Sequence, residues 1–138
     1  EIKTHVCYNE QGCALAAVGF ARTSGKMGVY FTTSGPGAVN ALGGLADAWF
    51  DGFPLMGICG NVPTNEMKGF SGIRQNGFQE MDIVSMTRNI TKYSVTANST
   101  EGFPDITSRA YNMAMLGRKG GVIIDFPLDI QQADIIGG

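Results

Sequence analysis

One histidine and three cysteines are all that 138 residues offer a soft metal, and no two of the cysteines stand in CxxC spacing. With His5 alone to join Cys7, Cys13 and Cys59, a zinc centre is not expected, and no metal site is assigned to this chain. Three thiols do not all pair within one chain. Cys7 and Cys59 lie in apolar, strand-like runs and read as core thiols of a reducing cytoplasm. His5 reads as a strand residue rather than a catalytic base, since nothing nearby would orient its ring. Charge is scarce as well: 16% of residues are charged, the net charge is −2, and there is no basic run. That removes the electrostatic footprint expected of a nucleic-acid or anionic-membrane partner. No apolar stretch approaches the roughly 20 residues of a membrane span, and Glu1-Ile2-Lys3-Thr4 does not open a signal peptide.

What is abundant is glycine, 20 residues spread between apolar runs rather than gathered in a low-complexity block. Glycines so placed mark tight turns. With 43% apolar residues the chain is long enough and greasy enough to bury one core, so residues 1–138 read as a single domain.

The runs alternate. Thr4–Tyr8 reads as a strand and Gln11–Ser24 as a helix ended by Gly25. Gly28–Thr33 reads as a second strand, and Ser34–Gly37 as a turn opening a helix that continues to about Phe50. Pro54–Cys59 is a near-continuous apolar strand, the kind buried on both faces. Gly60–Gln79 is too long for an ordinary connection and reads as a functional loop. A short helix at Glu80–Met86, a strand at Lys92–Thr96, a helix at Phe103–Leu116 stopped by Gly117, and a last strand at Val122–Asp125 complete the series. Strand then helix, repeated, predicts an α/β fold in three layers, a mostly parallel sheet flanked by helices. Ligands of such sheets bind beyond the carboxyl ends of the strands. Glu10, Ser34–Gly37, Gly60–Pro63 and Phe126-Pro127 all follow a strand, which collects them on one edge. Because the chain opens almost in mid-strand, a helix and strand are expected before it: the domain reads as truncated at its N-terminus.

Glu10 leaves the first strand-like run and enters a small-residue helix, Gln11–Ala17, with few groups near it to replace water. Poor hydration raises a carboxyl pKa and suits it to proton traffic. The competing reading is an acid favoured by the dipole of a helix N-terminus. Gly35-Pro36-Gly37-Ala38-Val39-Asn40 imitates half of a dinucleotide fingerprint, but Asn40 replaces the third glycine and Pro36 interrupts the N–H cradle. GxxxxGK[ST] does not occur. The turn instead suits a flat ring lying against bare backbone. The helices beside it carry small faces, Ala14, Ala17 and Ala21 in one and Ala38, Ala41, Gly44 and Ala48 in the other. Such faces serve close packing within the core or a subunit interface equally well.

Asn9-Glu10-Gln11-Gly12, Gly19-Phe20-Ala21-Arg22, Thr33–Gly37 with Asn40, Gly60–Thr64, Phe78–Asp82, Ile90-Thr91-Lys92 and Gly121–Pro127 occur in an order and spacing that resemble thiamine-diphosphate-dependent enzymes. The likeness is to the acetolactate synthase group, and within it to the pyrimidine-binding (PYR) domain. It covers nearly the whole chain. The resemblance implies that Glu10 is catalytic and hydrogen-bonds the pyrimidine N1′. A carboxyl there favours the imino form of the ring, whose nitrogen can then take the proton of thiazolium C2. It further implies that Gly35, Pro36, Gly37 and Asn40 bind the pyrimidine, and that Phe78 and Gln79 face the substrate. The implied activity is 2-keto acid decarboxylation and carboligation, for branched-chain amino acids or a related surface-polysaccharide pathway, in a cytoplasmic homodimer or homotetramer whose active site lies between subunits. Only the pyrimidine end of thiamine diphosphate falls to this chain. Mg2+, and FAD where the enzyme has it, are implied to bind outside it, since the Gly-Asp-Gly…Asn-Asn motif is missing. This chain alone is therefore expected to be inactive.

The segment Asn65–Gly77 departs from the biosynthetic pattern by its length, and Ile73–Glu80 is similar to acetolactate-synthase-like proteins of surface-polysaccharide biosynthesis. Lys68 and Arg74 in it would meet an anionic substrate or simply decorate the surface. Two rivals remain at this point: a non-oxidative 2-keto-acid decarboxylase, and a non-catalytic domain that keeps the fold.

Overall fold

A computed structural model describes residues 2–69 and 71–134. Helix α1 (Glu10–Ser24) starts where Asn9, in extended backbone, turns its Oδ1 onto the Gly12 amide at 2.7 Å. It stops where Gly25, at φ 70°, returns its N–H to the Ala21 carbonyl. Strand β1 (Gly28–Thr32) follows, and then the helix expected to run unbroken to Phe50 divides into α2 (Pro36–Asn40) and α3 (Leu42–Asp51). The break falls at Ala41, whose N–H bonds the Ala38 carbonyl in a tighter turn, just before the poor helix formers Gly43 and Gly44. Asn40 thus ends a helix instead of sitting inside one.

Strand β2 (Leu55–Asn61), helix α4 (Ile83–Thr87), strand β3 (Tyr93–Thr96), helix α5 (Phe103–Met115), strand β4 (Gly121–Pro127) and helix α6 (Leu128–Gln132) complete the chain. Within the long β2–α4 loop a 3-10 turn forms at Thr64–Glu66. Helix α4 begins three residues later than the sequence suggests because Asp82 caps it, accepting from the Ser85 amide at 2.9 Å and the Ser85 hydroxyl at 2.6 Å.

All four strands are parallel, in the order β1-β2-β4-β3. Alternation along β2 and β4 divides the core. Leu55, Cys59 and Ile123 face α1 and α3 together with Tyr30 and Leu45, while Met56, Val122 and Ile124 face Ala110 and Ala114 of α5. The three-layer α/β expectation holds, with a sheet that is parallel throughout. Ala14, Ala17, Ala21, Ala38, Ala41 and Ala48 are all buried within the chain, so the small helix faces are core packing.

One expected element is not there. Residues 2–7 have no regular structure, and Val6 and Tyr8 are fully exposed. The run has strand-forming side chains, but among the described residues no strand lies beside it, and strand propensity is realised only through a ladder partner. Two readings fall with it. His5 is exposed irregular chain, and Cys7 is a half-buried thiol outside any strand. Cys59 is the core thiol expected, its pKa pushed up to about 11 by burial.

Candidate active site

Glu10 is the first residue of α1 and lies against the turn that leaves β1. Its carboxylate lines an open groove of ≈ 510 Å³ together with Thr33, Pro36, Gly37, Val39 and Asn40. Asn40, delivered by the end of α2, donates from Nδ2 to Glu10 Oε2 at 2.8 Å. That bond, with a smaller contribution from the Glu10 backbone amide, holds the carboxyl below its ordinary value of 4.5. The expectation of a raised pKa is overturned. No strand walls the acid off, it is only half-buried, and an amide donor stabilises its charge more than partial burial penalises it. Glu10 thus stands at a helix N-terminus and at the lip of the groove at once.

The turn itself is built for close approach. Gly35 sits at φ 55°, ψ −123°, where residues with a Cβ are not tolerated. A methyl there would also stand 2.5 Å from the Gln79 carbonyl oxygen. A methyl on Gly37 would stand 2.6 Å from Thr33 Cγ2 and 3.3 Å from Glu10 Oε1. Bare backbone therefore faces the carboxylate, the geometry a flat, hydrogen-bonding heterocycle requires, and the residues present fit the pyrimidine end of the implied cofactor. Pro36 occupies the first turn of α2, where its missing N–H costs nothing.

Of the substrate-side residues, Gln79 is brought against the Gly35 turn by its backbone and takes a left-handed conformation, φ 56°. Phe78 projects into solvent, 79% exposed. Lys68 gives its ammonium to the Arg74 carbonyl at 3.2 Å, while Arg74 is exposed. The other rim sites go elsewhere. Gly60-Asn61 continues β2, and Phe126 stacks on Phe103 with ring centroids 4.1 Å apart. Among the described residues no three His, Cys, Asp or Glu side chains are placed to hold a metal ion.

Sequence reasoning missed a second polar cluster on the same rim. Asp125 of β4 is 2% exposed and accepts from Asn61 Nδ2 at 3.0 Å on each oxygen, and from Thr96 Oγ1 at 3.0 Å. Asn61 Oδ1 in turn accepts from the Val62 amide at 2.9 Å. Burial pushes the Asp125 pKa up to about 6, with the charges of Asp82 and Glu80 adding to the rise. The signal was in plain view: one acid directly after Val122-Ile123-Ile124 is a charge inside a sheet. A smaller cavity of ≈ 360 Å³, walled by Trp49, Phe50, Lys92, Arg118 and Lys119, lies at the opposite end of the strands and holds none of the candidate catalytic, cofactor or substrate-side residues. No helix among the described residues is long and apolar enough to cross a membrane.

Positions 1–86 match the family model described as thiamine pyrophosphate enzyme, N-terminal TPP binding domain. The chain is 43% identical over 135 residues to acetolactate synthase of Arthrospira platensis, covering 98% of this chain and 22% of that protein. It is 43% identical over 128 residues to the acetolactate synthase isozyme 2 large subunit of Escherichia coli K12, covering 93% and 22%. With the chloroplastic acetolactate synthase of Arabidopsis thaliana the identity is 46% over 124 residues, covering 90% and 18%. The chain spans about a fifth of the length of these curated relatives.

Proposed function

This chain belongs to the thiamine pyrophosphate enzymes, as their N-terminal TPP-binding domain, and from that premise we propose that it supplies the pyrimidine half of an acetolactate synthase-like active site. The observation that carries the reading is a carboxylate, Glu10, facing the Gly35–Gly37 turn across a groove with an asparagine amide on its far oxygen. When bound, thiamine diphosphate supplies a nucleophilic carbon able to add to a 2-keto acid carbonyl.

The chain's own residues do the rest. Glu10 holds a proton at the ring nitrogen and is the catalytic residue. Gly35 and Gly37 keep side chains clear of the ring face, Pro36 fixes the turn between them, and Asn40 orients Glu10 through its amide. Gln79, with Phe78 beside it, borders the path of the 2-keto acid. The diphosphate and its Mg2+ fall to residues outside this chain, and so does FAD where the enzyme carries it. A second copy of the protein would complete the site as a homodimer or a homotetramer built from such dimers. The exposed face of α1, Leu15, Ala16, Gly19 and Phe20, is the surface it would cover. Taken alone the chain is inactive in this reading. The free thiols Cys7, Cys13 and Cys59 suit a reducing, cytoplasmic setting.

The test is product analysis of the intact protein given pyruvate, with and without thiamine diphosphate and Mg2+. Cofactor-dependent acetolactate is the expected result. Acetaldehyde without any acetohydroxy acid would defeat the carboligase reading, and turnover indifferent to the cofactor would defeat the whole of it.

A further inference from the structure

Glu80 is buried, yet both oxygens of its carboxylate are engaged by the loop that precedes α4. Oε1 accepts from the Lys68 amide at 2.6 Å and Oε2 accepts from the Asn76 amide at 2.9 Å. The two donors stand on opposite limbs of the loop, so a single side chain closes it as a clamp. Lesser ties run alongside: the Gly77 amide donates to the Glu66 carbonyl at 2.8 Å, and the Lys68 ammonium to the Arg74 carbonyl at 3.2 Å. A buried carboxylate persists only when its lone pairs are met, and bonds to a charged acceptor are the strong ones. The closed loop and the buried acid therefore depend on each other.

The clamp adjoins Gln79, whose backbone stands at φ 56°, an uncommon conformation for a residue with a Cβ. The Gln79 carbonyl and Cβ fill the space that a methyl on Gly35 would take, at 2.5 Å and 2.9 Å. Glu80 itself does not line the Glu10 groove. It reaches the groove through Gln79, which rests on the turn forming the groove wall.

We propose that Glu80 is a positioning residue for the substrate side of the site: by bridging the Lys68 and Asn76 amides it holds the 68–76 loop closed, keeps Gln79 seated against Gly35, and so sets the entrance for the 2-keto acid. The inference rests on the reading of the groove given above. It assigns the loop between β2 and α4 to substrate capture, and the Glu10–Asn40 pair to the cofactor.

In the intact protein Glu80→Gln keeps the volume but turns one oxygen into an amino group facing an N–H donor, which opens one arm of the clamp. KM for pyruvate should rise about tenfold while kcat stays within about threefold and half-saturating thiamine diphosphate within about twofold. Hydrogen exchange at the Lys68 and Asn76 amides should quicken about tenfold or more. Glu80→Asp keeps the charge but is one methylene short of spanning both amides. It should show the same split to a smaller degree, and it serves if the glutamine variant does not fold. Faster exchange with an unchanged KM in both variants overturns the proposal, as does a KM that rises in step with the cofactor requirement. Absence of thiamine-dependent turnover in the unsubstituted protein overturns the underlying reading and this one with it. The exchange data distinguish the two failures, because they report the clamp without reference to activity.

Discussion

Two carboxylate–asparagine pairs stand on the carboxyl rim of one sheet, and their acids are driven in opposite directions. Glu10 takes one amide bond from Asn40, faces an open groove and is held below the ordinary carboxylate range. Asp125 takes two bonds from Asn61 and a third from Thr96, yet titrates near 6. The donors are alike and more numerous at Asp125, so hydrogen bonding does not decide the sign. Access to water does. At Asp125 the protein has met both oxygens itself and tied β2, β3 and β4 into one buried cluster. At Glu10 it has met one oxygen and left the carboxylate beside bare backbone. The first is architecture, and the second is what the proposed function reads as half of a site.

The largest expected effect breaks the pair on the Glu10 side. Glu10→Gln in the intact protein keeps the size and the bond to Asn40 but cannot deliver a carboxyl proton. Turnover of pyruvate should fall by about 10² to 10⁴, the range lost with a general acid–base group, while thermal stability stays with the parent. Turnover surviving within about tenfold would remove Glu10 from the mechanism.

Next in size is the Asp125 side, where stability rather than turnover should respond. The folded state keeps the Asp125 proton up to a pH of about 6, and the unfolded chain releases it near 3.8. Between those values the folded state binds more protons, so this group's contribution is fully present below about 4 and is lost as pH rises through 6. The loss amounts to about 3 kcal/mol at most. Asp125→Asn should flatten that slope in urea titrations at a series of pH values. Asp125→Ala, which strands the Asn61 amide and the Thr96 hydroxyl, should instead cost about 2 kcal/mol at pH 5. A slope untouched by Asp125→Asn would mean that burial does not govern this acid.

Why the two pairs were not equally legible in the sequence is itself physical. The order of elements, the parallel sheet and the turn at Gly35–Gly37 follow from local signals: apolar runs, caps such as Asn9 and Gly25, and glycines where backbone must pass. Glu10 was singled out from its place between a strand-like run and a helix, and Asn40, 30 residues on, only through the family resemblance. Asp125 carries a local signal, an acid in an apolar run, but nothing local names Asn61 and Thr96 as its partners. The cluster exists only because β4 inserts between β2 and β3, and that strand order is not written in any one segment. The N-terminal run failed for the converse reason. Thr4–Tyr8 has the side chains of a strand, but pairing is a property of neighbours. The raised pKa argued for Glu10 failed separately: it assumed few groups near the acid to replace water, and the Asn40 amide is such a group. Glu80 was read as the start of a helix; its role belongs to two amides 12 and 4 residues before it.

The smallest effect sharpens the comparison most. Asn40→Ala removes the larger of the two donors that lower the Glu10 pKa, leaving its own backbone amide to work against partial burial. The limb of the kcat/KM pH profile that belongs to Glu10 should therefore move to higher pH in the intact protein, with far less loss of turnover than Glu10→Gln brings. Covering the groove with a ring and a second protomer excludes water from the same carboxylate and pushes in the same direction. Glu10 should accordingly titrate higher in the assembled, cofactor-loaded protein than in the free chain, approaching the behaviour of Asp125. If Asn40→Ala leaves the limb in place, the amide is a bystander, and water access alone separates the two acids. If the limb moves but assembly does not move it further, the groove stays wet in the working enzyme, and the proton at Glu10 is held by bonding rather than by burial.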